Sequence, residues 1–213
     1  FNQNTVEEGT ADFEVRDRVT LSVSKGFEFV RNWKSVFSLY YEGRTGNPYS
    51  WVYTTDLNGD SRSDNDTVAV PSGLDDPRFD FSGMSATDQA AYFAFIEASG
   101  LSDYAGGIAP KNAWQEPWIN QLSLHVEQII PIYSPARLKL FFDFVNLGSF
   151  ISKDMFNYTE ISPYLSNDVF RTRKLGGASY GADGRIKPTY PSEPLGFNID
   201  NGMSRWRVQL GAK

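Results

Sequence analysis

The sequence predicts an all-β chain: an antiparallel transmembrane β-barrel segment with about five strands, two long extracellular loops and one short loop helix. Three observations lead to this prediction. Apolar and polar residues alternate along five segments, short and long connections follow one another, and aromatic residues gather at the strand ends. The 213 residues contain no run of 18 apolar residues, so no transmembrane helix is predicted.

The first observation is an alternation with a period of two, which is typical of strands with one apolar and one polar face. Each apolar stripe is long enough for the roughly 9–11 residues that a tilted strand needs to cross a bilayer. A soluble β-sandwich strand also has one polar face, so alternation alone leaves both architectures open. The five predicted strands are about Phe13–Phe29, Trp33–Tyr53, Trp118–Ile132, Arg137–Leu147 and Arg205–Gly211.

The lengths of the connections favour the barrel. A few residues near 30–32 join strands one and two, and the short turn 133–136 joins strands three and four. Long connections, about 54–117 and 148–204, separate the other pairs. Outer-membrane barrels alternate short periplasmic turns with long outer loops in this way, whereas long loops are uncommon in compact soluble domains. Five strands cannot close a barrel, because the smallest have about eight, so we expect residues 1–213 to be a fragment.

Aromatic residues make up 15% of the chain and cluster at the predicted strand ends. Rings at these positions are typical of the two aromatic girdles of a membrane barrel, where one edge of each ring stays in contact with water. Packing beneath loops would account equally well for any single ring. The predicted girdle residues are Phe27, Phe29, Trp33, Tyr49, Trp51, Tyr53, Trp114, Trp118, Tyr133 and Trp206.

Charge and composition narrow the chemistry. The net charge of −6 gives no reason to expect nucleic-acid binding, and the absence of cysteine excludes disulfides and thiolate metal sites. The single histidine, His125, excludes a histidine-cluster metal site. On the polar face of the third strand, Gln121, Ser123 and His125 are predicted to face the barrel lumen. No catalytic or cofactor-binding residues are predicted, although His125 with Glu127 leaves a secreted hydrolase as a third alternative.

An acidic run in the first long loop has the spacing of a calcium-binding loop. Ser61 stands where the turn glycine is expected and Thr67 where the bidentate glutamate is expected, so the run departs from that pattern twice. Carboxylates this close repel one another unless positive charge lies among them. A solvated turn rich in aspartate and asparagine is the competing interpretation. The candidate Ca²⁺ ligands are Asp56, Asn58, Asp60, Asp64 and Asp66.

A short helix is predicted from Ser85 to Gly100 in the same loop. Ser85 and Asp88 resemble a capping box, and Gly100 is a typical helix stop. The expected role is structural: the helix folds down onto its own loop.

Several segments together resemble Oar-like TonB-dependent outer-membrane receptors. The similarity covers about Asp17 to Leu210, and it depends on the order and spacing of the segments rather than on one diagnostic motif. One small departure is Trp114-Gln115-Glu116, where the family more often has a small or basic residue. The segments are 40–50 (YYEGRTGNPYS), 56–60 (DLNGD), 65–66 (ND), 70–71 (VP), 108–113 (IAPKNA), 117–122 (PWINQL) and 140–147 (LFFDFVNL).

This resemblance implies a location in the bacterial outer membrane and energy-coupled passage of a substrate, driven by the TonB complex through a plug domain. It also implies that residues 1–213 are the C-terminal part of the barrel, without the plug and N-terminal domains. Family members usually end on an aromatic residue, so the ending Gly211-Ala212-Lys213 leads us to expect a few further residues. The expected partners are outer-membrane lipid, the TonB complex and an unidentified transported substrate. The alternative is a soluble Ca²⁺-dependent β-sandwich that binds a ligand, such as a carbohydrate, with the Asp56 loop and exposed Trp51 and Trp114.

Overall fold

The computed structural model describes residues 9–30, 32–161, 171–191 and 195–213. The sequence of residues 1–10 predicts the tail of a loop, and most of that segment lies outside the described residues. No helix in these ranges is long and apolar enough to cross a membrane. The helices are α1 (Ala86–Ala98), α2 (Leu147–Ile151) and α3 (Lys153–Phe156), with a 3-10 turn at Leu101–Tyr104. The strands are β1 (Arg18–Val30), β2 (Trp33–Arg44), β3 (Pro48–Tyr53), β4 (Trp114–Gln115), β5 (Ile119–Tyr133), β6 (Ala136–Val145), β7 (Thr159–Glu160), β8 (Thr172–Gly176), β9 (Ala178–Tyr180), β10 (Ile186–Pro188), β11 (Asn198–Ile199) and β12 (Arg207–Ala212).

The five predicted strands join one antiparallel sheet, in the order β1-β2-β5-β6-β12. The all-β, antiparallel part of the prediction is therefore confirmed. Within the described part of the chain the sheet is open, because β1 and β12 each pair on one side only. Two short turns connect neighbouring strands, and the turn between β5 and β6 is Ser134-Pro135, as the sequence predicts.

Two predicted strand boundaries are wrong. The first strand begins at Arg18 rather than at Phe13, and the second ends at Arg44 rather than at Tyr53. The hydroxyl of Thr45 accepts hydrogen bonds from the backbone N–H groups of residues 16 and 17 at 3.1 and 3.3 Å. A side chain thus takes over from backbone hydrogen bonding where the pairing of β1 with β2 ends. At Gly46 a Cβ atom would lie 2.4 Å from the carbonyl oxygen of Glu116, so the chain bends at a position that only glycine fits.

The chain divides into two compact units. Among the described residues, the sheet unit comprises 15–30, 32–46, 116–161 and 198–213 and contains the five-stranded sheet, α2, α3 and the β7–β11 pair. The described residues of the loop unit are 9–14, 47–115, 171–191 and 195–197. The loop unit therefore takes most of its residues from the two segments that the sequence predicts as separate long loops.

Those two segments, predicted as long loops, share one hydrophobic core. Strand β3 pairs antiparallel with β4 from the first segment and parallel with β8 from the second. All six residues of β3 are buried, and Trp51 is only 1% exposed. Tyr49, Trp51 and Tyr53 are thus core residues, and their predicted place in an aromatic girdle is wrong.

A buried arginine packs against this aromatic core. Arg173 is 1% exposed, and its guanidinium carbon lies 4.4 Å from the ring centroid of Phe197 and 5.6 Å from those of Tyr49 and Trp51. The side chain also donates a hydrogen bond to the carbonyl of Gly196. Cation–π contact partly offsets the desolvation of a buried guanidinium, because the ring faces carry negative potential.

The predicted loop helix is confirmed as α1. Ser85 is its N-cap and accepts the N–H of Asp88 at 3.2 Å, while its own hydroxyl donates to the Asp88 carboxylate at 2.7 Å. The helix packs onto its own unit: Tyr92 is buried against Phe81, with ring centroids 5.7 Å apart. Burial raises the pKa of Tyr92.

A local cluster of hydrogen bonds around the Asp76 carboxylate stabilises the turn that follows Pro71. Arg78 donates to both carboxylate oxygens of Asp76, at 3.0 and 2.7 Å, and also to the carbonyl of Val70 at 2.9 Å. The backbone N–H of Ser72 adds a further bond to Asp76 at 2.9 Å. The guanidinium, more than any other group, holds the pKa of the Asp76 carboxyl well below its usual range.

Candidate functional site

The polar face of the five-stranded sheet contains the three residues that are predicted to face a lumen, Gln121, Ser123 and His125. Strand register places Ser24, Ser38, His125, Asp143 and Gln209 directly opposite one another in one row across all five strands. Because directly paired residues of antiparallel strands project to the same side, their side chains share a face. The result is a continuous polar row in the middle of the sheet.

Two cross-strand contacts order this row. The imidazole Nδ1 of His125 and the Asp143 carboxylate are hydrogen-bonded, and both side chains are partly exposed. The hydroxyls of Ser24 and Ser38 lie 2.5 Å apart. Ser38 is therefore bonded to another hydroxyl and not to the imidazole, and the row presents hydrogen-bonding groups rather than an activated nucleophile.

The pair of His125 with Glu127, on which the hydrolase alternative depends, does not form. The carboxylate of Glu127 accepts a hydrogen bond from the ammonium of Lys139 at 3.3 Å, while His125 is hydrogen-bonded to Asp143 on the neighbouring strand. The sequence separation of 18 residues between His125 and Asp143 is set by the turn and the register of β5 and β6. The alternation of polar and apolar residues specifies neither the turn nor the register. The pairing of His125 with Asp143 therefore cannot be predicted from one strand alone.

Gln121 and Ser123 lie on the same face as His125, as predicted. Gln121 is opposite Glu42, and Ser123 is opposite Tyr40. Around Glu42 the face is tightly bonded, since this carboxylate accepts Tyr40 Oη at 2.8 Å and Arg18 Nη2 at 2.8 Å. That the three residues line a lumen stays a prediction.

The opposite face of the sheet is apolar and open. On β1 and β12, Val19, Leu21, Val23 and Leu210 are 56%, 54%, 52% and 73% exposed. From Val19 to Phe27 the strand advances about 27 Å, and a tilt of about 40° reduces this height to roughly 21 Å. That height is close to the roughly 25 Å apolar band of membrane barrels.

One cation interrupts the apolar face. By period-two alternation Lys25 lies between Val23 and Phe27 on β1, and it is exposed. It is next to the aromatic end of the face, where Phe27 and Phe29 stack with centroids 5.6 Å apart. A lysine this close to the edge can place its ammonium in the polar layer while its methylene groups cover apolar surface.

Of the predicted girdle residues, Tyr49, Trp51, Tyr53 and Trp114 lie in the loop unit. The others remain at the two ends of the sheet. Trp33 and Tyr133 are exposed at the short-turn end, and Trp118 and Trp206 are exposed at the other end. The indole N–H of Trp118 donates to Asn120 Oδ1 at 3.1 Å. These rings thus combine an apolar surface with access to polar groups.

In the acidic loop, the carboxylates bind N–H groups. Asp56 accepts the backbone N–H groups of Gly59 and Ser61 at 2.7 and 2.8 Å, and buried Asp66 accepts that of Leu57 at 2.6 Å. The Asn65 side chain, more than any other group, lowers the pKa of Asp60. The partial positive charges of these N–H groups therefore reduce the repulsion between the carboxylates, for which the sequence alone suggested a bound cation.

The remaining acid of the loop is paired with a cation from the second long segment. Asp64 accepts Lys174 Nζ at 3.0 Å. Ser61 has a φ of 66°, the left-handed conformation for which a calcium loop ordinarily uses glycine. Among the described residues, no three Asp, Glu, His or Cys side chains are grouped as a metal site. Calcium binding by Asp56, Asn58, Asp60, Asp64 and Asp66 stays a prediction.

The calcium prediction has a direct calorimetric test. If the loop binds Ca²⁺, titration gives heat, and Ca²⁺ at 100 times its Kd raises the free energy of unfolding by about 2.7 kcal/mol. Asp56→Asn should abolish both effects. Asp88→Asn, which alters the cap of α1, is the matched control and should leave the heat unchanged. No heat and no change in stability would identify the loop as a hydrogen-bonded turn.

Comparisons with protein-family models, with curated proteins and with solved structures find no match.

Proposed function

We propose that this chain is a barrel segment of an outer-membrane transporter of the TonB-dependent type. The five-stranded sheet crosses the bacterial outer membrane, with its apolar face against lipid and its polar face towards an aqueous interior. Five strands are too few to close a barrel, so the proposal requires further strands beside these five. Gln121, Ser123 and His125 then line the passage.

One observation carries this proposal: a long antiparallel sheet has an exposed apolar face on one side and an ion-paired polar face on the other. Val19, Leu21 and Val23 are all more than half exposed. In water such a contiguous patch is unfavourable, at about 25 cal/mol for each Å² of apolar surface. Against hydrocarbon the same surface has no such cost. Barrel strands need an apolar outside and a polar inside for this reason.

The resemblance to Oar-like receptors supports the second half of the proposal, which concerns transport. TonB, engaged through a plug domain, drives passage of a substrate that the sheet itself does not identify. The polar row through Ser38, His125 and Asp143 offers hydroxyl, imidazole and carboxylate groups to a polar solute. The function is therefore passage rather than chemical conversion.

The alternative of a soluble calcium-dependent binding module loses one of its two expected aromatic contacts. Trp51 is buried in the loop unit rather than exposed, and Trp114 stacks on Tyr49 with centroids 6.3 Å apart. In a soluble protein, further protein would also have to pack against the apolar face of the sheet to shield it from water.

Site-directed spin labelling tests the proposed orientation of the sheet. Because the sequence contains no cysteine, Leu21→Cys and Ser22→Cys each introduce one labelling site, on opposite faces of β1. In outer-membrane vesicles we expect the Leu21→Cys label to collide with oxygen more than with a water-soluble nickel chelate. For the Ser22→Cys label we expect the reverse order. Equal nickel accessibility at both positions would refute the lipid-facing assignment.

A further inference from the structure

The apolar face of the sheet extends past the end of the strands onto α2. Phe150 of α2 is 63% exposed, and its ring lies 5.7 Å from both Phe144 of β6 and Trp206. Phe144 and Trp206 are themselves 5.6 Å apart. Since Phe144 also makes an edge-to-face contact with Phe142 on the apolar face, these rings continue that face beyond the last residue of β6.

Hydrogen bonds fix the segment that contains these rings. Asn120 Nδ2 donates to the carbonyl of Met155 at 3.0 Å, which ties α3 to β5. Asn146 Nδ2 donates to the carbonyl of Ser204 at 3.1 Å, and the N–H of Tyr158 donates to Ser204 Oγ at 2.9 Å. Residues 147–156 and 203–206 are thus bonded into one platform, which we call the rim platform.

The rim platform has further exposed apolar side chains. Ile151, Met155 and Met203 are 66%, 60% and 58% exposed, in addition to Phe150 and Trp206. Such a cluster at the edge of a sheet is unfavourable in water.

Two cations accompany these side chains. Lys153 in α3 and Arg205 beside Trp206 are exposed, and neither forms an ion pair with a carboxylate in the described part of the chain. Asp154 and Asp200 are the nearby acids in sequence, and Asp200 accepts the N–H of Gly202 at 2.7 Å. Exposed apolar side chains next to unpaired cations match the interfacial layer of a membrane, where acyl chains meet anionic headgroups.

We propose that the rim platform is an interfacial lipid contact: Phe150, Ile151, Met155 and Trp206 enter the boundary layer of the bilayer, and Lys153 and Arg205 bind its anionic headgroups. This inference rests on the proposed function, because it extends the lipid-facing sheet by one further element. Trp206 is suited to this layer, since an indole is apolar over most of its surface and carries one N–H donor. The platform then fixes the height of the sheet in the membrane.

Single-site spin labels in the full chain test the proposal in reconstituted bilayers. We expect an Ile151→Cys label to show less nickel-chelate accessibility than Ser22→Cys and more than Leu21→Cys, which corresponds to the interfacial layer. Replacing zwitterionic lipid with one quarter phosphatidylglycerol should lower nickel accessibility at Ile151→Cys. The double substitution Lys153→Gln with Arg205→Gln should remove that dependence on lipid charge.

The outcomes separate this inference from the function on which it rests. If Leu21→Cys remains protected from nickel while Ile151→Cys is as accessible as Ser22→Cys, the platform lies in water and only the inference fails. If Ile151→Cys is shielded from both oxygen and nickel, protein covers the platform, and the inference also fails. If the Leu21→Cys label is itself fully accessible to the nickel chelate, the sheet does not face lipid, and the proposed function fails together with the inference. A response to lipid charge that survives in the double variant would exclude Lys153 and Arg205 as the headgroup contacts.

Discussion

Val23→Arg is expected to lower the free energy of unfolding from a lipid bilayer by about 2–4 kcal/mol, because it places a guanidinium near the middle of the apolar band. Val23 is 52% exposed and lies midway between Val19 and Phe27 on β1. A charged side chain there must either enter hydrocarbon or distort the bilayer around it. Unfolding by guanidinium chloride in phospholipid vesicles, followed by tryptophan fluorescence, measures the change.

The adjacent residue gives a matched control. Ser22→Arg introduces the same side chain one position away on the polar face, where water solvates it, and should change the free energy by less than about 1 kcal/mol. Equal costs for the two variants would mean that both faces meet the same solvent, contrary to a barrel wall. A small cost for both would place the apolar face in water.

Trp51→Ala is expected to destabilise the loop unit by about 3–5 kcal/mol, through loss of buried surface and the cavity that remains. The indole is 1% exposed and lies 5.5 Å, between ring centroids, from Phe95 of α1. Removing it also leaves Arg173 with fewer aromatic contacts in a site that excludes water. Hydrogen exchange at the Tyr53 and Val68 amides, which bond to the carbonyls of Asp66 and Trp51, reports unfolding of this unit.

Tyr180→Ala is the control for this substitution within the same unit. Tyr180 is 51% exposed, so its truncation should cost less than about 1 kcal/mol. If Trp51→Ala were as mild as Tyr180→Ala, Trp51 would not be part of a packed core. An interfacial position for Trp51, as the sequence suggests, would then regain support.

The sequence predicts the strands of the sheet well because alternation is a local signal. In β5, Leu122, Leu124 and Val126 fall on one face, while Ser123 and His125 fall on the other. Helix α1 is equally local, since Ser85 and Asp88 are three residues apart and cap it directly. These features need no knowledge of distant residues.

Partners across strands are less accessible to sequence reasoning. His125 meets Asp143 rather than Glu127, because strand register and not proximity in sequence decides which side chains touch. The partner of Asp64 is Lys174, which is 110 residues away. A pattern of charges read along one segment cannot reveal such a pair.

The sequence by itself determined that the chain is all-β and which residues of each long strand share a face, because a strand side chain alternates irrespective of its neighbours. Only the tertiary structure decided that the two long connections share a core, because the parallel pairing of β3 with β8 joins residues 50 and 172. It also decided that Tyr49, Trp51 and Tyr53 are buried rather than interfacial. The physical reason is that burial depends on what packs against a residue, and in the loop unit that contact comes from residues distant in sequence, among them Phe95, Trp114 and Arg173.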